Sequence, residues 1–82
     1  MPENKMKYLI SLFEKAKHDS LDIALELTVP TCEDTEIIIV KNANLDYKLN
    51  YYKESYNEDL ELKRFPEIKI LSIKEGNFSN II

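Results

Sequence analysis

The sequence predicts a single small α+β domain, in which two helices pack with a three-stranded, mostly antiparallel sheet in the order α-β-β-α-β. Two observations carry this prediction. Apolar residues recur every three or four positions near the start of the chain and again from Leu45, and every second position from Leu21 to Val29. The first spacing places side chains along one face of a helix, and the second along one face of a strand. Since 82 residues suffice for one domain only, we assign residues 1–76 to it and 77–82 to a flexible tail.

The first helix is predicted over residues 4–18. One face of this helix is apolar and the other is polar and charged, and the apolar spacing stops at Asp19 and Ser20. The apolar side chains of this helix share three- and four-residue spacing: Met6, Leu9, Ile10, Phe13 and Ala16. We therefore expect one face of the helix to be buried.

Residues 21–29 alternate apolar and polar side chains, which predicts a strand with one buried and one exposed face. Pro30 ends this strand because proline donates no hydrogen bond to a sheet ladder. Residues 31–35 form the predicted hairpin loop, and a second strand follows over residues 36–41. Because the connection is too short for a crossover, the two strands are expected to pair antiparallel.

A second helix is predicted over residues 45–57, capped by residues 42–44. Residues 58–64 are expected to form a polar connection before a third strand over residues 67–73. The apolar stripe of the second helix consists of Leu45, Leu49, Tyr52 and Tyr56. The second and third strands carry apolar residues on both faces, whereas a half-exposed antiparallel sheet alternates. Either the helices cover opposite faces, or one apolar face meets another molecule, so a homodimer stays open.

Charge and cysteine content narrow the class of protein. The net charge is −4, and residues 19–36 hold six carboxylates without a Lys or Arg. Such a balance disfavours nucleic-acid binding and can attract basic proteins. Cys32 is the single cysteine, so no disulfide forms within the chain, and we expect a cytoplasmic location. The longest apolar run, Ile37 to Val40, is far too short to cross a membrane.

No catalytic, cofactor or metal site is predicted. His18 stands at the end of the first helix without a nucleophile beside it. Cys32 precedes Glu33 and Asp34, whose negative charge suppresses the reactive thiolate. Neither a CxxC nor an HExxH pattern occurs, and a single glycine excludes a Gly-rich phosphate loop. We therefore expect the protein not to be an enzyme.

Tyrosines provide the clearest candidate for a binding surface. Tyr47 and Tyr51 lie one helical turn apart, opposite the apolar stripe and near Glu54 and Glu58. Tyrosine is enriched at binding hot spots because it combines a large contact area with a hydroxyl group. The alternative is that another segment, or a second copy of the chain, covers the rings. The acidic candidates of the hairpin loop and second strand are Glu33, Asp34 and Glu36.

The stretch NLDYKLNYYKESYNEDLELKRFPEIKILSI, from Asn44 to Ile73, resembles a small uncharacterised protein type of bacteriophages and prophages of low-GC Gram-positive bacteria. The segments LDIALELTVP and EIIIV are similar as well, and a tenfold excess of Lys over Arg fits an AT-rich genome. The resemblance implies an accessory gene product that handles a host or phage protein. It implies no activity for any residue.

The leading expectation is therefore a non-enzymatic phage or prophage accessory protein that binds a protein partner through an exposed tyrosine and acidic surface. One alternative is an inhibitor of a host defence nuclease, with carboxylates standing in for DNA phosphates. Another is a small enzyme whose site forms between subunits. A further alternative is a weak nucleic-acid-binding protein that uses lysines of the first helix: Lys5, Lys7, Lys15 and Lys17.

Overall fold

A computed structural model describes residues 4–30 and 33–78 of the chain. The element order confirms the predicted α+β architecture. Cys32 lies outside the described residues, as do residues 79–82 of the predicted tail. The elements are helix α1 (Lys5–His18), strand β1 (Asp22–Leu27), strand β2 (Glu36–Val40), a single 3-10 turn (Asn42–Asn44), helix α2 (Leu45–Ser55) and strand β3 (Ile70–Gly76).

Helix α1 begins and ends with local hydrogen bonds that its sequence supplies. The side chain of Asn4 accepts a bond from the Lys7 N–H at 3.2 Å and so caps the first turn. At the other end, Ser20 adopts a left-handed backbone with φ 59°, and the Leu21 N–H donates to the Ala16 carbonyl at 2.8 Å. This turn sends the chain directly into β1.

The sheet has the order β2-β1-β3, with both pairings antiparallel as predicted for β1 and β2. Alternation along β1 buries Ile23, Leu25 and Leu27 on one face, while Ala24 and Glu26 point to the other. The strand is two residues shorter at its far end than predicted, because pairing with β2 stops at Leu27. β1 is the central strand because both β2 and β3 pair with it, and its side chains form much of the core.

Strand β3 starts and ends three residues later than the predicted 67–73. Its far end is set by its partner, since Gly76 pairs with Asp22, the first residue of β1. The strand is also irregular, whereas a regular strand would place Ile70 and Ile73 on opposite faces. Leu27 pairs with Ile70, whereas Glu26 pairs with Ser72, so Leu71 is an extra residue in a β-bulge. The bulge lets both Ile70 and Ile73 face the core.

Both helices cover the same face of the sheet. The rings of Phe13 in α1 and Tyr52 in α2 lie 6.0 Å apart, and both are buried with the β1 core residues. The opposite face stays open, and Ile37 on β2 is 68% exposed. Of the predicted stripe of α2, Leu45, Tyr52 and Tyr56 are buried and Leu49 is half-buried. Ile37 and Ile39, which pair with Glu26 and Ala24, therefore lie on the face that neither helix covers.

Residues 42–44 precede α2 as predicted, but they do not cap it with a side-chain hydrogen bond. Asn44 makes no side-chain cap bond, and residues 42–44 instead form the 3-10 turn. The Asn42 amide donates to the carbonyls of Leu21 at 2.9 Å and Ala16 at 3.3 Å. Its amide is therefore used to close the junction between α1 and β1. The helix then ends at Ser55, two residues before the predicted end.

Residues 58–64 are more ordered than the predicted polar connection. The side-chain Oδ1 of Asn57 accepts bonds from the Asp59 and Glu61 N–H groups at 2.9 and 3.0 Å, which tightens a turn. Leu60 follows at φ 62° with its side chain buried. Residues 60–62, here called the arm, then pair antiparallel with residues 68–70.

The chain continues past Gly76 in contact with the domain. Phe78 is half-buried, and its N–H donates to the Asp22 carboxylate at 3.3 Å. Its ring also lies 3.1 Å from where a β-carbon on Gly76 would stand. The first two residues of the predicted tail are thus described next to β1 and β3.

Candidate protein-binding surface

The outward face of α2 carries the two tyrosines that the sequence singles out. Tyr47 and Tyr51 are 74% and 46% exposed. Spacings of four and three residues place Tyr47, Tyr51 and Glu54 on one side of the helix. Because the opposite side of α2 supplies the core, both side chains reach solvent, Tyr47 more than Tyr51.

The Tyr51 ring is held in place by its neighbours within the chain. It makes edge-to-face contacts with Tyr52, at 5.1 Å between ring centroids, and with Tyr56, at 6.4 Å. The Lys48 ammonium lies 5.6 Å from the ring centroid. Each aromatic contact stabilises such an arrangement by about 0.5–1.5 kcal/mol. A pre-oriented ring loses less conformational freedom on binding.

Tyr52 and Tyr56 support this surface from beneath and belong to the core. Burial, followed by the neighbouring tyrosines, raises the pKa of Tyr52 far above its ordinary value. Burial also raises the pKa of Tyr56, with a smaller contribution from Tyr51. Both phenols therefore stay neutral to a higher pH than an exposed tyrosine does.

The face is more mixed in charge than the sequence predicts. Asp46 is held by Lys17 of α1, whose ammonium contacts both carboxylate oxygens at 2.9 Å. Lys48 stands against the Tyr51 ring, and Glu54 is exposed. The rings on this face are therefore bordered by both signs of charge.

Glu58 is exposed but lies beyond the end of α2, in the turn before the arm. Its carbonyl accepts a bond from the Met6 N–H at 3.2 Å, which fixes this turn against the start of α1. Because the helix stops at Ser55, Glu58 is not part of the helical face that carries Tyr47 and Tyr51 and belongs to the connection over residues 58–64.

Glu33, Asp34 and Glu36 are exposed on the hairpin that joins β1 to β2. Within residues 4–30 and 33–78, no hydrogen bond or ion pair connects them to Tyr47 or Tyr51. The predicted site residues thus fall into a group on α2 and a separate group on the hairpin.

His18 and the acidic side chains are the residues to compare with a metal site. His18 is exposed, and its ring nitrogen lies 3.0 Å from Asp19, the next residue in the chain. Among the residues described, no three His, Cys, Asp or Glu side chains come together as metal ligands. Between α1 and β3, Glu75 binds Lys15 at 2.9 Å and raises the pKa of that lysine.

A groove between the first half of α1 and the outer edge of β3 was missed by the sequence reasoning. It encloses about 530 Å³. Tyr8 and Leu71, which are 55% and 53% exposed, stand on its walls. The other lining residues are Asn4, Lys5, Lys7, Leu60, Ile70, Ser72 and Ile73. Tyr8, an aromatic residue outside the predicted stripe of α1, was the one hint in the sequence.

Comparison with protein-family models, curated proteins and solved structures finds no match for this chain. Neither helix within the described ranges has the length and apolar character needed to span a membrane. The two surfaces that the structure offers, the tyrosine face of α2 and the groove beside β3, are therefore the basis for any functional assignment.

Proposed function

We propose that this protein is a non-enzymatic binding module that captures a protein partner through Tyr47 and Tyr51 on α2. The proposal rests on the exposure of these two rings and on the contacts that hold one of them. Both are exposed, and Tyr51 is held by edge contacts to Tyr52 and Tyr56. Rigid, accessible tyrosines on a helix face are the kind of residue that dominates binding energy at protein interfaces.

The resemblance to phage and prophage accessory proteins suggests a partner from the bacterial host or from the phage itself. The carboxylate of Glu54 beside the rings favours a partner with a basic group at the edge of its interface. Lys48 adds a site for a carboxylate or carbonyl of the same partner. Such mixed charge gives orientation and specificity more than raw affinity.

The lysine arrangement of α1 favours a protein partner over nucleic acid. Lys15 is bound to Glu75 and Lys17 to Asp46, so two of the four lysines proposed for DNA contact already face carboxylates. Counterion release from a phosphate backbone needs several free cations in a row. A DNA-mimicking role is also less well supported, since Lys48 interrupts the carboxylates along α2.

The proposal is tested by affinity capture from lysate of a low-GC Gram-positive bacterium, with quantitative mass spectrometry. The Tyr47→Ala/Tyr51→Ala double variant should recover the main specific partner at least about tenfold less well, since a hot-spot loss of about 2 kcal/mol exceeds one decade in affinity. Phe65→Ala is the matched control, because Phe65 is 58% exposed on the loop before β3.

Thermal unfolding must accompany the capture, since the double variant also removes the ring contacts of Tyr51 to Tyr52 and Tyr56. We expect a loss of about 1–2 kcal/mol, which leaves the domain folded. Equal partner recovery by the folded double variant and the wild-type protein would overturn the assignment.

A further inference from the structure

The outer edge of β3 is only partly covered. Along residues 68–70 the arm supplies a neighbouring strand, with the Leu62 N–H donating to Ile68 at 2.8 Å and the Ile70 N–H donating to Leu60 at 3.0 Å. From Leu71 to Gly76, the described chain places no backbone partner on that side. An unpaired strand edge is a template for the addition of another strand.

The bulge in β3 turns this edge into one side of an apolar groove. Ile70 takes the core position opposite Leu27, so the extra residue Leu71 is displaced and left 53% exposed. Leu71 then lines the groove together with Tyr8 of α1. An incoming strand would continue from Leu60 at the end of the arm and place alternate side chains into the groove.

The charge of the groove selects the chemistry of its occupant. Lys5 and Lys7 stand on its helical wall, and its lining includes no carboxylate. Over the ranges 4–30 and 33–78, neither lysine has an ion-pair partner. The groove is therefore apolar along its floor and positive along its rim, and it complements a segment that combines apolar and acidic side chains.

We propose that this groove binds an extended acidic–apolar peptide segment of a partner protein, which pairs with β3 from Leu71 onward as an added strand. Apolar side chains of the segment contact Tyr8 and Leu71, and its carboxylates contact Lys5 and Lys7. This surface is formed by α1 and β3, and the proposal does not depend on the tyrosine face of α2.

A second copy of the chain is the competing occupant. Edge-to-edge pairing of two β3 strands would offer the groove the segment Ile70–Gly76, in which Glu75 is balanced by Lys74. Moreover, Glu75 is already bound to Lys15 of its own α1. Self-pairing therefore supplies no free carboxylate for Lys5 and Lys7, whereas an acidic peptide does.

The test uses a fluorescein-labelled, terminally blocked nine-residue peptide that alternates Val and Glu, with a Val/Lys peptide as its control. In fluorescence anisotropy we expect the acidic peptide to bind at least about tenfold more tightly than the basic one. The variants Leu71→Asp and Lys5→Glu/Lys7→Glu should each weaken the binding of the acidic peptide at least about tenfold. Leu71 and both lysines are exposed, so these variants keep the fold, which melting curves would check.

Two further proteins locate the site. Ile37→Asp, a matched change at an exposed residue of the opposite edge strand, should leave the affinity unchanged. The Tyr47→Ala/Tyr51→Ala variant should also bind the peptide normally, which separates this proposal from the one for α2. On binding, amide exchange should slow along Leu71–Gly76.

Three results would overturn the proposal. The first is equal affinity for the acidic and basic peptides. The second is binding that Leu71→Asp leaves unchanged. The third is a dimer, seen by sedimentation, that Leu71→Asp dissociates, which would assign the edge to a second copy of the chain.

Discussion

The buried carboxylate of Asp22 offers a direct test of how this small domain is held together. Asp22 is 8% exposed at the start of β1. Its Oδ1 accepts a bond from the Asn42 N–H at 2.8 Å, and its Oδ2 accepts one from the Phe78 N–H at 3.3 Å. The Lys41 ammonium lies 4.0 Å away. One side chain therefore ties the first residue of β1 to the segments that follow β2 and β3.

The expected loss of stability follows from these bonds. A hydrogen bond to a charged acceptor contributes about 1.5–3 kcal/mol, and the longer bond to Phe78 lies at or below the low end of that range. Asp22→Ala should therefore lower the free energy of unfolding by about 2–4 kcal/mol. A domain of this size has about 4–12 kcal/mol in total, so Tm should fall by roughly 10–25 °C. Asp22→Asn keeps one carbonyl acceptor and should lose about half as much.

Urea and thermal unfolding, followed by circular dichroism, measure these differences. Asp46→Ala is the matched control, because Asp46 also contacts a lysine at 2.9 Å but is 73% exposed, with Lys17 59% exposed. An exposed pair of this kind contributes less than about 1 kcal/mol. If Asp22→Ala and Asp46→Ala destabilise the protein equally, the structural role assigned to Asp22 is wrong.

Two further predictions concern pH. Hydrogen bonds from Thr35, at 2.6 Å, and Ser72, at 3.2 Å, lower the pKa of Glu26 from its ordinary 4.5. The contribution of Glu26 to stability is therefore present above pH 4.5 and is lost as pH falls through the lowered pKa. The Tm of the wild-type protein should drop more steeply in acid than the Tm of Glu26→Gln, and parallel curves would contradict this. Burial raises the pKa of Tyr52 and Tyr56 above 10, so the protein should lose stability as pH rises beyond 10. Phenolate absorbance should show that these two tyrosines ionise only as the chain unfolds. Ionisation of all tyrosines in one step near pH 10, with the fold intact, would refute this prediction.

The elements that periodicity predicts are those whose burial is decided locally. The three- and four-residue spacing from Met6 to Ala16 corresponds to a helix that lies on a sheet, and the alternation from Ile23 to Leu27 to a strand with one covered face. The bounds of β3 were predicted less well. Its far end depends on pairing with Asp22, a residue more than fifty positions away, and local pattern carries no information about that partner.

The candidate site on α2 also has features that residue spacing predicts and features that depend on packing between helices. Helical geometry places Tyr47 and Tyr51 opposite the apolar stripe, but only the structure shows that they remain exposed beside the other described segments. The charge around the rings could not be predicted, because Asp46 is neutralised by Lys17 on another helix. Residue spacing along α2 reports which side chains share a face, and only the packing of α1 against α2 shows which charges remain free.

The groove beside β3 arises from pairing that sequence pattern does not reveal. A regular ladder would place Leu71 opposite Leu27 and leave Ile70 on the open face of the sheet. The bulge exchanges these roles, so Ile70 joins the core and Leu71 reaches the edge next to Tyr8. Both candidate surfaces share one physical origin: each presents apolar side chains beyond those that the core can bury. In the isolated domain the exposed parts of these side chains stay in water, and a partner that removes them from water gains the free energy of their burial.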